Sequence, residues 1–363
     1  MRAAAALLTG LGVLAFAQLA FGGADQAATW NVSVGESGRP PAGTPKGTTL
    51  NQFFPARLTI NAGDKVNFTT FAFHTVSYWA GKPAPPPLGP NPGAKYEGIT
   101  GSDGQPFYFD GMQAFSYNLQ HFGPVGPKTI SGKTPASAGA IFATGPKKPG
   151  KATFTFPKAG AFKLICNLHP GMGLKVVVKP QGAAVQTPEE VAAKAKAEMD
   201  GAWAQAKSLA ATKPPKNSVI MGIDGKKTAG GRLTILDFLP KLTTVKTGTT
   251  VNFVVKAPSE IHNVALGPLK YMDKFMKQTD LFPLGPPGAK NQVTPVFVYG
   301  TDPKGTAFDG KNHGNGFFAT SLGDGLRGGL PNAVRVTFTA PGKYHFICLI
   351  HGPDMAADVR VTQ

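Results

Sequence analysis

Residues 162–172 read FKLICNLHPGM, and residues 346–355 read FICLIHGPDM. These stretches hold the only two cysteines of the 363-residue chain, Cys166 and Cys348. Each sulfur is followed three positions on by a histidine, His169 or His351, and soon after by a methionine, Met172 or Met355. Oxidising compartments favour disulfides, so a bridge between Cys166 and Cys348 is one alternative. A disulfide, however, requires no histidine or methionine at short fixed spacing from each sulfur, whereas metal ligation does. Alternation can be followed backwards from each cysteine. Cys166, Leu164 and Phe162 share one face of a strand, as do Cys348, Phe346 and Tyr344. That apolar face points inward, and Lys163 and His345 fall on the opposite side. The loop after each cysteine must fold back, and Pro170 or Pro353 with its neighbouring glycine supplies the turn.

The rest of the chain repeats around these two stretches. FFPARLTINAGDKVNF (53–68) matches FLPKLTTVKTGTTVNF (238–253), each a strand, a turn at Gly63 or Gly248, and a second strand. A histidine follows each: His74 in FAFHTVSY and His262 in SEIHNVAL. YFDGM then matches AFDGK, AIFATG matches FFATSL, and ATFTFPKAGAFKLIC matches VRVTFTAPGKYHFIC. The order is the same throughout, which predicts two copies of one domain, 29–179 and 217–363. With 46 glycines and 33 prolines the composition suits turn-rich β-domains. The expected fold is all-β, two tandem Greek-key β-sandwiches joined by a linker, 180–216.

The linker carries its own helix. Thr187 is its N-cap, Pro188 occupies the first helical position and Glu190 closes a capping box. Val191, Ala195, Met199, Ala202, Ala206 and Leu209 form one apolar stripe. Each half also has a proline-rich excursion, KPAPPPLGPNPG and FPLGPPGAKNQ, expected as turn- and polyproline-prone loops. PLKYMDKFMKQTD predicts a short helix whose Met272 and Met276 belong to the core and not to a soft metal site.

Residues 1–24 combine Arg2, an apolar run and small residues ending at Ala24, and are expected to be a signal peptide. The run is also long enough for an uncleaved anchor. The predicted location is therefore periplasmic or secreted. The formal net charge of +17 fits either an incidentally basic exported protein or one that docks to an acidic partner or an anionic membrane surface. No arginine-rich run or aromatic–basic interleaving points to nucleic acid.

The candidate ligand sets are His74, Cys166, His169 and Met172 in the first half, and His262, Cys348, His351 and Met355 in the second. Two imidazoles, a thiolate and a thioether suit copper in both its oxidation states, with a weak axial methionine. Zinc is a weaker alternative because a thioether is a poor zinc ligand. Both halves resemble the cupredoxins, the type 1 or blue copper proteins such as plastocyanin, amicyanin and pseudoazurin. The resemblance rests on H-[TN]-V at His74 and His262 and on the Cys-x-x-His segments ahead of Met172 and Met355. It implies two type 1 copper ions per chain, held by those eight residues, with Thr75 and Asn263 bracing the ligand loops. The first loop is C-x2-H-x2-M and the second C-x2-H-x3-M, so the sites are expected to be unequal.

By the same resemblance, the protein is expected to be an exported electron carrier with redox partner proteins, and His169 and His351 are expected to lie near the surface as electron docking points. Two-domain enzymes of this fold build a further copper site from His-x-His pairs. None of the seven histidines stands in such a pair, so no enzyme is predicted. Copper storage or delivery is a second reading. An oxidase or reductase using the leftover His121 or His313 is a third. His345 is expected at the surface.

Overall fold

Alternation decides which faces are buried. In β4 (Lys65–Thr70), Val66 and Phe68 point inward while Lys65 faces water; Val251 and Phe253 do the same in the matching KTGTTVNF segment. The computed structural model describes residues 27–278, 292–302, 306–325 and 330–363. The segment read as a signal peptide, and all of the second proline-rich excursion except Gln292, lie outside the described residues.

The first half comprises β1 (Thr29–Val34), β2 (Thr48–Phe54), β3 (Arg57–Asn61), β4, β5 (His74–Tyr78), β6 (Leu88–Lys95), β7 (Gln113–Tyr117), β8 (Ala136–Ile141), β9 (Gly150–Thr155), β10 (Gly160–Ile165) and β11 (Gly173–Lys179). One layer runs β2-β1-β4-β9 and the facing layer β3-β11-β10-β5-β8. Trp30, Phe53, Phe68, Phe154 and Leu164 fill the space between them. The second half repeats this with β12 (Ser218–Asp224), β13 (Gly231–Leu239), β14 (Leu242–Lys246), β15 (Thr250–Lys256), β16 (Ile261–His262) and β17 (Ala265–Leu266). It continues through β18 (Ala307–Phe308), β19 (Phe318–Ala319), β20 (Gly323–Asp324), β21 (Ala333–Phe338), β22 (Gly342–Cys348) and β23 (Gly352–Thr362). Its layers run β18-β21-β15-β12-β13 and β14-β23-β22-β17-β19. The parallel pairs correspond as well: β1 with β4 and β3 with β11 are matched by β12 with β15 and β14 with β23.

The two sandwiches share a sheet. β2 pairs antiparallel with β13, giving one nine-stranded sheet that crosses from one half to the other. Thr49 pairs with Thr234, and these are equivalent positions, each lying four residues before the phenylalanine of its repeat, Phe53 or Phe238. On either side Thr48 pairs with Ile235 and Leu50 with Leu233, so the register is symmetric about the Thr49–Thr234 pair. The halves are thus related there by a local twofold, as in an isologous dimer interface.

The linker helix is broken in two, α2 (Pro188–Trp203) and α3 (Ala206–Ala210), after a four-residue turn α1 (Leu119–Phe122) in the first half. The capping box is formed: Thr187 Oγ1 accepts from Glu190 N at 3.2 Å, and Glu190 Oε2 accepts from Thr187 N at 2.9 Å. Val191 packs into the first core, while Ala202 and Ala206 pack under β13 and β2 with Leu50, Leu233 and Ile235. The first excursion differs in part from the polyproline-prone loop expected. Residues 82–87 are a loop, as expected, but residues 88–95 form β6, which pairs with β7, so Pro90 and Pro92 sit in a two-stranded ribbon whose register shifts between Pro90 and Lys95. Phe107, Phe109 and Phe122, which lie between the first excursion and β8, share a third apolar cluster with Met272 and Phe275 of α4 (Leu269–Gln278) and with Val296 and Phe297 of α5 (Pro295–Tyr299). Of the two methionines of that helix, Met272 is core, as its spacing predicts, and Met276 is partly buried against the same cluster.

Phe346 meets Phe238 and Phe253 edge-on, with centroids 4.8 and 5.2 Å away, in the strand that ends at Cys348. Phe346→Ala should lower unfolding free energy by about 3–5 kcal/mol, measured by denaturant titration of the metal-free protein. A loss under about 1 kcal/mol would show that this core collapses around the cavity.

Candidate metal centres

Strand ends place the cysteines. Cys166 follows the last residue of β10 on its inward face, and Cys348 is the last residue of β22. The partner histidines come from distant sequence: His74 opens β5 and His262 closes β16, both fully buried. In the first half, His74 Nδ1 lies 3.0 Å from His169 Nδ1, and Cys166 Sγ lies 3.8 Å from the one and 3.4 Å from the other. In the second, Cys348 Sγ lies 4.0 Å from His262 Nδ1 and 3.5 Å from His351 Nδ1. The three donor atoms of each group all lie within 4.8 Å of one another. Bonds of about 2.0–2.3 Å to imidazole and thiolate in a trigonal plane separate the ligand atoms by roughly 3.5–3.7 Å. Both groups therefore fit one ion with little movement. Met172 and Met355 are buried in the same core clusters as Cys166 and Cys348 respectively.

The loops differ as their lengths do. In the first, Met172 N donates to His169 O at 2.9 Å and Cys166 N to Met172 O at 3.2 Å, a tight turn with Gly171 at φ 92°. In the second, the ladder between β22 and β23 slips: Ile347 faces Ala356 but Cys348 faces Gly352. The bulge absorbs the extra residue. Asp354 points out of it to Lys46 of the other half, 2.9 Å away. The residues after the first histidines hold these loops. Thr75 N donates to Cys166 Sγ at 3.3 Å, and Thr75 Oγ1 accepts from Asn167 N at 2.7 Å. Asn263 Oδ1 accepts from Leu349 N at 2.9 Å.

Two features were not singled out from the sequence. The first is a pair of glycines. A Cβ on Gly35 would lie 2.5 Å from His74 Nε2, and one on Gly222 would lie 2.2 Å from His262 Nε2. Both glycines have positive φ, 80° and 67°. Each is the floor against which a buried histidine rests. Their sequence signal was the match of VSVG, where Gly35 follows β1, with VIMG, where Gly222 lies at the bulge inside β12. The second is Glu260, two residues before His262. Its Oε1 lies 3.2 Å from His169 Nε2 and its Oε2 3.6 Å from His351 Nε2. Asn51 of β2 donates to Oε1 at 2.8 Å. The two loop histidines therefore face each other across this carboxylate, between the halves, and only 11% and 16% of their side chains is exposed. The expectation that they lie near the surface is corrected: the β2–β13 pairing turns both loops inward.

Charge organises the pocket. Burial alone would lower the pKa of His169, but Glu260 and Cys166 outweigh it and push it up to about 10. His351 is pushed up to about 10 against the same burial by Cys348 and Glu260. Burial would raise both thiols, yet the adjacent histidines hold Cys166 and Cys348 well below the usual range. The sulfurs are thus poised as thiolates, the form that binds a soft metal.

The remaining histidines are otherwise engaged. His121 Nδ1 lies 2.7 Å from Pro85 O, and its burial lowers its pKa. His313 packs against Phe107 with the rings tilted by 47° and lies 3.4 Å from Asp302. His345 is at the surface, 2.9 Å from Asp358. Among the described residues, the groups of three or more such side chains able to hold a metal are the two above.

Two sandwiches, each closing a buried His/Cys/His group with a methionine in the same core, define a chain with two cupredoxin-like halves and two type 1 copper-like sites. The chain is similar to the oxidised plastocyanin of the fern Dryopteris crassirhizoma, at 19% identity over 40% of this chain and 99% of that one, with a TM-score of 0.21. It is also similar to auracyanin A, a "blue" copper protein from Chloroflexus aurantiacus, at 21% identity over 35% of this chain and 89% of that one, TM-score 0.22. A purple cupredoxin from Nitrosopumilus maritimus matches at 14% identity over 40% of this chain and 98% of that one, TM-score 0.20. No family model and no curated protein matches the chain.

Gly222→Ala should displace His262 and remove copper from the second site while the first keeps its own. Metal analysis of the purified variant should fall from two ions per chain towards one. Retention of both would show that the glycine floor does not set the histidine.

Proposed function

We propose that this chain is an exported one-electron carrier with two type 1 copper centres, one held by His74, Cys166, His169 and Met172, the other by His262, Cys348, His351 and Met355. The observation that carries the reading is the donor set itself: imidazole, imidazole and low-pKa thiolate, buried together within 4.8 Å, twice in one chain. Copper supplies the one-electron change between its two oxidation states. The chain holds the donors at metal-binding distances in advance, so little has to rearrange when the charge changes. Thr75 N donates to the first sulfur and fixes its orientation. The near-complete burial of the donors, with His351 the most exposed at 16%, argues against a store that exchanges its metal freely. The partners found for His121 and His313 favour the carrier over an oxidase or reductase.

With the loop histidines turned inward, docking needs another surface. A groove of about 770 Å³ runs beside Cys166, Pro170 and Met172, with Arg57, Lys163, Lys175 and Lys227 among its lining residues. An acidic redox protein is the partner this groove suits, because opposite charge raises encounter rates. Export to the periplasm or beyond rests on the sequence of residues 1–24.

Copper-loaded protein should contain two ions per chain and show intense visible thiolate-to-copper absorption. Cys166→Ser should remove one contribution and leave that of Cys348. A colourless two-copper protein would overturn the type 1 reading. For the partner, electron transfer with an acidic donor protein should slow as salt rises, and slow further in Lys163→Glu/Lys175→Glu. Rates indifferent to both would place docking elsewhere.

A further inference from the structure

Glu260 breaks the symmetry of the repeat. The position two before the first histidine is Glu260 in SEIHNV but Ala72 in FAFHTV. A carboxylate buried this deeply is costly unless it is paired and hydrogen-bonded. Its partners are Asn51 and the outer nitrogens of two histidines, one from each half. The inner nitrogens of the same rings face Cys166 and Cys348. A ligating histidine generally needs an acceptor for its other N–H, which fixes its tautomer and ring orientation. Here one side chain near the local twofold offers one oxygen to each ring, so a single glutamate suffices for two copies of the domain and its counterpart can be alanine.

We propose that Glu260 is a positioning residue shared by both metal centres, with Oε1 fixing His169 and Oε2 fixing His351. This rests on the copper reading above and adds that the two centres have a common support. His169, Glu260 and His351 also make a continuous path of contacts from one centre to the other inside the chain.

A carboxylate has two acceptor oxygens, whereas an amide has one acceptor and one donor group. In Glu260→Gln, the amide oxygen should take the Oε1 place, because Asn51 donates there. The amide nitrogen then faces His351, which loses its acceptor. The test measures copper(II) affinity by competition, reading thiolate-to-copper absorption, in the full chain and in Cys166→Ser and Cys348→Ser backgrounds that isolate each centre. Glu260→Ala should weaken both centres by about 10–100-fold. Glu260→Gln should weaken the centre of Cys348 by a similar factor while the centre of Cys166 keeps most of its affinity. Thermal melts of the metal-free variants show whether they fold, and if the alanine variant does not, the glutamine variant decides alone. An alanine variant that leaves either centre unchanged, or a glutamine variant that affects both equally, overturns the shared role. Absence of thiolate-to-copper absorption in the parent protein would instead overturn the copper reading itself.

Discussion

The pairing of β2 with β13 is the constraint on which the arrangement depends. It joins equivalent strands of two repeats about the Thr49–Thr234 pair and so makes one sheet of two sandwiches. Because the pairing is symmetric, equivalent segments of the two halves approach that seam from opposite sides. The two ligand loops project there. His169 and His351 end on opposite sides of Glu260, and Lys46 of one half reaches Asp354 in the bulge of the other. The α2–α3 pair packs beneath the same seam against Leu50, Leu233 and Ile235, so the linker stabilises the junction as well as connecting the halves.

Within each half the site depends on closure of the sandwich. The cysteine arrives at the end of one strand, the first histidine on another, and the loop returns only a few residues later. No local segment holds a complete set, so binding a metal ion is linked to the folded state. The histidines have little freedom: glycine floors lie under His74 and His262, and Glu260 stands behind His169 and His351. Rigid donors suit a centre that must serve two oxidation states.

Much of this was legible in the sequence. The ligand order, the repeat, the inward face of the cysteine strands and the capping box at Thr187 are local or periodic signals, and local signals survive folding. The bracing positions of Thr75 and Asn263 came from family resemblance. What escaped were features set by contacts between halves. Nothing local to TTLNQFF or GRLTILDFL says that the two strands pair with each other. Without that pairing the loop histidines look exposed, and Glu260 looks like an ordinary loop charge. Its one signal was a departure from the repeat, glutamate opposite Ala72. The glycines at 35 and 222 were visible as a repeated V-x-x-G, but only the distance to a histidine ring shows why no side chain is tolerated. The proline-rich segment 82–93 is a loop only as far as residue 87; from Leu88 onward pairing with β7 supplies hydrogen bonds that composition does not reveal.

The central claim is two type 1 copper centres in one chain. Electron paramagnetic resonance of the oxidised, copper-loaded protein, with total copper quantified on the same sample, tests it most directly. The account predicts two coppers per chain, both giving the narrow hyperfine splitting of a copper–thiolate centre. A single copper, or a wide-splitting signal from copper without thiolate, would contradict it.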